Sequence, residues 1–136
     1  MKRNSILLAV SLSLLLVAGC GSQVGLSGKV IYSDDGSPVP TGTVYLESDN
    51  SVHRGNIQPD GTFVIGSISE RDGLPPGSYR VYIRDAQKAA GEDADGGTIY
   101  EQLIDVKFAS AATSGKTIDI TSSTKNFEIV VDRYQK

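Results

Sequence analysis

The sequence predicts an all-β fold, an antiparallel sandwich of seven short strands, and three observations carry that prediction. Tyr79, Val81 and Ile83 alternate with Arg80, Tyr82 and Arg84, so this stretch has one apolar face and one wet face. Shorter alternating runs recur along the chain, each bounded by Gly, Pro, Asp or Asn, the residues that make tight turns. Little of the chain outside its N-terminus reads as helix. At 136 residues a single domain is the default.

The N-terminus is set apart from that domain. Met1, Lys2 and Arg3 form a short basic start, and residues 6–17 are an uncharged run of Leu, Ile, Val, Ala and Ser. The run is short for a bilayer span and sits where the apolar region of an export signal sits. It leads into Val17-Ala18-Gly19-Cys20, which resembles the bacterial lipobox. The resemblance implies cleavage between Gly19 and Cys20, diacylation of the Cys20 thiol and acylation of the new amino terminus. Cys20 is the only cysteine, so a lipidated thiol leaves none for a disulfide. Several acyl chains anchor firmly where one binds only marginally. The reading is therefore a signal peptide over residues 1–19, a lipidated tether over 20–25 and a β-sandwich domain over 26–134. Gly21 follows the cysteine, and by resemblance to lipoprotein sorting the lack of aspartate there favours the outer membrane, facing the periplasm or the exterior.

The strands follow in order. Residues 26–33 alternate with Leu26, Gly28, Val30 and Tyr32 on one side, and Asp34-Asp35-Gly36-Ser37-Pro38 turns the chain. Residues 43–48 set Val44 and Leu46 against Tyr45 and Glu47. Residues 52–58 carry His53 and Arg54 on what reads as a polar strand. Pro59-Asp60-Gly61 then turns into residues 62–68, with Phe63 and Ile65 on one face, and the two strands read as a hairpin. The strand over 78–84 comes next. Residues 85–97 lack a sustained apolar period, and Ala, Gln and Lys over 86–90 allow a short helix. Residues 100–108 resume strand character, and residues 116–120 and 126–132 read as a closing hairpin.

In this order the phrases SGKVIY, GTVYL, QPDGTF and LPPGSYRVYI resemble the carboxypeptidase regulatory-like domain. That family has a transthyretin-type, or prealbumin-like, seven-stranded sandwich. The downstream stretch over residues 103–131 also resembles small bacterial lipoproteins carrying this fold. The shared motifs are turns and strand entries, so they imply a fold and no activity.

Enzymes with a transthyretin-like fold set tests that this composition fails. Hydroxyisourate hydrolases use several histidines, intradiol dioxygenases bind iron with two tyrosines and two histidines, and a type-one copper site needs two histidines and a free thiolate. This chain has one histidine and one cysteine. His53, beside Arg54 and Gly55, is expected to be exposed and inert. No cofactor is expected. Asp93 and Asp95, in the acidic loop before Gly96 and Gly97, are candidate calcium ligands, but such loops are usually solvated and an EF-hand's later glutamate is missing. The formal charge of −3 suits neither nucleic acid nor an anionic membrane surface.

The functional expectation is a non-catalytic structural or protein-interaction module held at a membrane by its lipid, with an envelope protein as partner. The alternative is binding of a carbohydrate or other small ligand. The candidate contact residues are Arg80, Tyr82 and Arg84 on the outward stripe, where two guanidiniums flank a phenol, and Tyr100. Cells fed radiolabelled palmitate are expected to label the wild-type chain and not Cys20→Ala; equal labelling of both contradicts the anchor.

Overall fold

The structure, a computed structural model, describes residues 25–66, 73–121 and 126–136. The signal peptide, Gly19, Cys20 and most of the tether lie outside the described residues, as do parts of the loops before the fifth strand and before the last.

The described strands are β1 (Leu26–Tyr32), β2 (Thr43–Glu47), β3 (Val52–Asn56), β4 (Thr62–Ile65), β5 (Gly77–Arg84), β6 (Gln87–Glu92), β7 (Thr98–Gln102), β8 (Lys116–Ile120) and β9 (Asn126–Val131). A 3₁₀ turn (Val106–Ala109) and the four-residue helix α1 (Ala111–Ser114) lie between β7 and β8. One sheet has the order β4-β1-β9, a second β3-β2-β5-β8, and β6 and β7 form a separate ribbon. The chain is thus mostly β with several sheets, consistent with an all-β sandwich.

One apolar core joins the two larger sheets. Leu26, Val30, Phe63, Ile65, Ile129 and Val131 from the first sheet share it with Val44, Leu46, Tyr79, Val81 and Ile83 from the second. Full burial of such a side chain stabilises by about 1.5–3 kcal/mol. Loop residues Val39, Ile57, Leu74, Ile104 and Phe108 complete the cluster. The alternation in β5 appears as read, with Tyr79, Val81 and Ile83 inside.

Pairing departs from the expectations in two places. β3 and β4 are not a hairpin: β3 pairs with β2 and β4 with β1, and the isolated bridge between Arg54 and Gly66 joins them. The turn at Gly61 does form, with Gly61 at φ +83°, but its carbonyl accepts the amide of Val30 at 2.9 Å and draws the chain onto β1. Nor do β8 and β9 form a hairpin. β8 pairs with β5, and β9 lies parallel to β1 with Val30 opposite Ile129 and Tyr32 opposite Val131. That register aligns the apolar rows of the two strands, which a hairpin with β8 would not place on β1. The sandwich is therefore not purely antiparallel.

Local readings also change. The segment expected to allow a helix over 86–90 is β6, with a register shift between Ala89 and Gly91. Helix propensity differs by only tenths of a kcal/mol per residue, so pairing with β7 outweighs it. β7 stops at Gln102, and Asp105 caps the 3₁₀ turn by accepting the amide of Lys107. Residues 110–115, which follow, include α1, started by the Ser110 hydroxyl and ended by Gly115 at φ +63°.

Gly55 faces the core at the corner where the sheets meet, and a Cβ there would lie 2.0 Å from the carbonyl oxygen of Val64. Gly55→Ala is expected to cost about 1–3 kcal/mol in a denaturant titration, as overpacking does. Gly25→Ala, with nothing within 4 Å of its Cβ, is expected to be close to neutral.

Candidate functional site

The outer face of the four-stranded sheet gathers the most chemistry. Register places Arg54, Tyr45 and Tyr82 in one row across β3, β2 and β5, and Asn56, Thr43 and Arg84 in the next. The Tyr45 and Tyr82 rings stack with centroids 4.9 Å apart and planes 3° from parallel. The Arg84 guanidinium carbon lies 5.4 Å from the Tyr82 centroid and 5.8 Å from that of Tyr45, and its Nε donates to the Ala109 carbonyl at 3.4 Å. Arg80 pairs with Glu47 at 2.9 Å one row further along.

The predicted stripe of Arg80, Tyr82 and Arg84 is therefore on one face, but Tyr82 does not present its ring to solvent. It is only 7% exposed. Burial, with the Glu47 carboxylate beside it, raises its hydroxyl above the usual phenol range. The half-buried Tyr45 and the exposed Arg54 stand in its place. Sequence reasoning placed Tyr45 on the wet side of β2, but only cross-strand register reveals that it stacks on Tyr82. Tyr100 is elsewhere, on β7, opposite Ala89 in the ribbon and 57% exposed, with Ile99 beside it.

Asp93 is spent on its own loop. Its Oδ1 accepts the amides of Asp95 at 3.0 Å and Gly97 at 2.7 Å, which shapes the turn between β6 and β7. Among the described residues no three of His, Cys, Asp and Glu gather in metal-binding geometry.

His53 is the clear correction. It was expected on the surface, yet it is 4% exposed. Register sets it opposite Leu46, on the core side of β3, and sends Val52, Arg54 and Asn56 outward. Its ring meets Tyr79 edge-on at 5.7 Å, and its Nε2 lies 3.0 Å from the Ser51 hydroxyl. Among the described residues its Nδ1 has no hydrogen-bond partner. A serine and a histidine thus touch, and among the described residues no carboxylate hydrogen-bonds the ring.

A mostly β body whose polar groups line an open sheet face is the class these features define. No family model matches the chain, and no curated protein matches it. Solved structures similar to it include a DUF3823 family protein from Bacteroides ovatus, at 20% identity and a TM-score of 0.46, over 83% of this chain and 46% of that one. The major pilin subunit of Bacillus cereus aligns at 12% identity and a TM-score of 0.48, over 84% of this chain and 30% of that one. A 9R-lipoxygenase from Cyanothece aligns at 16% identity and a TM-score of 0.40, over 81% and 16%. The chain spans less than half the length of each.

Burial holds the His53 pKa below the ordinary 6.5. The unfolded chain then binds the proton more readily, so the stability due to neutral His53 is complete above about pH 6.5 and falls as pH drops toward the folded value. The denaturation midpoint is expected to decline between pH 7 and pH 5, and to decline less in His53→Leu. Asp35, held down to about 2 chiefly by the Ser37 hydroxyl and amide, titrates well below that window.

Proposed function

We propose that this chain is an exported lipoprotein, anchored through acylated Cys20, whose transthyretin-like, carboxypeptidase regulatory-like sandwich acts as a non-catalytic interaction module at the cell envelope. The two larger sheets, of four and three strands, support the fold part of this reading.

One observation carries the functional part. The β6–β7 ribbon stands apart from both larger sheets and exposes nearly all of its residues, Ile99 and Tyr100 among them. A two-stranded ribbon is marginal in water by itself, and apolar side chains on it gain from being covered. Several reactive side chains among the described residues support the same reading, because they serve the fold. His53 packs in the core, Asp93 closes a turn, Lys107 pairs with Asp132 at 2.6 Å, and Arg133 pairs with Asp34 at 2.7 Å and Asp35 at 2.9 Å. The partner is an envelope protein that covers the ribbon.

A photo-crosslinking amino acid at position 100, in native membranes, is expected to give a discrete adduct that Ile99→Asp removes. The same probe at exposed Val64 on β4 is expected to give none. Equal labelling from both positions contradicts the reading.

A further inference from the structure

We infer that the outer face of the four-stranded sheet is a binding platform for a carboxylated polysaccharide, with Arg54 and Arg84 holding its carboxylates and Tyr45 supporting a sugar ring between them. This deepens the interaction-module reading by adding a ligand class on a face distinct from the ribbon.

The charge pattern comes first. The chain is acidic overall, at −3, and most described cations are already committed: Arg80 to Glu47, Lys88 and Lys136 to Glu101, Lys107 to Asp132, and Arg133 to Asp34 and Asp35. Among the described residues Arg54 and Arg84 have no carboxylate partner, and they share one sheet face. The nearby acid, Glu47, is held by Arg80. An unpaired guanidinium presents a fork that fits a carboxylate through two parallel hydrogen bonds. Arg84 is already seated on the two stacked rings, so it loses less freedom on binding.

The spacing comes second. Arg54 and Arg84 are two strands and one row apart, roughly 12 Å between Cα atoms from ordinary strand spacing and rise. Between them lie Tyr45, Thr43 and Asn56, with the Thr43 hydroxyl 3.3 Å from Asn56 Oδ1. An aromatic side chain beside a hydroxyl and an amide suits a chain rich in hydroxyls. Two separated guanidiniums suit acid groups that recur along it.

An acidic peptide fits less well. Strand addition needs a free edge, and beside Arg54 the β3 edge is bridged by Gly66, whose amide donates to the Arg54 carbonyl at 3.3 Å.

The test is affinity electrophoresis of the full chain in detergent micelles, through gels containing polygalacturonate, neutral dextran or polyglutamate. Polygalacturonate is expected to retard the wild type and dextran not to. The Arg54→Gln/Arg84→Gln variant is expected to bind at least tenfold more weakly, Tyr45→Leu to lose affinity with every charge intact, and Lys29→Gln to match the wild type. Thermal melting confirms that each variant is folded. Unchanged binding by the double arginine variant, no retardation by polygalacturonate, or equal retardation by polyglutamate overturns the assignment. Each of those results leaves the ribbon crosslink from position 100 intact, so the platform and the module reading fail separately.

Discussion

β1 is the strand on which the body closes. It lies between β4 and β9, so both of its edges are paired. Its inward residues Leu26, Val30 and Tyr32 are buried, and its ends tie distant parts of the chain together. The Ser33 amide donates to the Val131 carbonyl at 2.9 Å, and Arg133 lies 3.7 Å from the Tyr32 ring centroid while reaching back to Asp34 and Asp35. With the only cysteine at position 20, ahead of the strands, no disulfide can hold those ends. The parallel β1–β9 pairing and the Arg133 contacts do so instead.

That closure decides where chemistry can sit. Because β4 must reach β1, the chain leaves β3 abruptly, and Gly55 admits the close approach of Val64 at the corner. The same register turns His53 inward, where it meets Tyr79 and Ser51. It also turns Arg54 outward, next to Tyr45. A buried imidazole and an outward-facing guanidinium are thus two consequences of one strand register. The two larger sheets share one core, while the ribbon contributes nothing to that core.

Much of the body was legible in the sequence because period two and turn chemistry are local signals. Tyr79, Val81 and Ile83 marked the core face of β5, and Pro59-Asp60-Gly61 marked a turn that exists. Partner choice was not legible. Alternation says which side of a strand is apolar and nothing about the strand beside it, so β3 was paired with β4 and β8 with β9. His53 was misplaced for a related reason: in VHRGN the one large apolar residue, Val52, faces out, and the buried positions are a histidine and a glycine. The surface site was half legible. Arg80 and Arg84 stand where the alternation put them, but Tyr45 and Arg54 join them only through cross-strand neighbours, and Tyr82 is covered by those neighbours.

Native-state hydrogen exchange tests the closure most directly, since it reports the free energy at which each strand opens. The amides of Val30 and Tyr32 in β1 are expected to exchange only with global unfolding, at the same free energy as those of Leu46 in β2 and Ile83 in β5, while Ile99 in the ribbon exchanges at lower cost. If Val30 and Tyr32 exchange well before Leu46 and Ile83, the two sheets are not one cooperative body and β1 does not hold it shut.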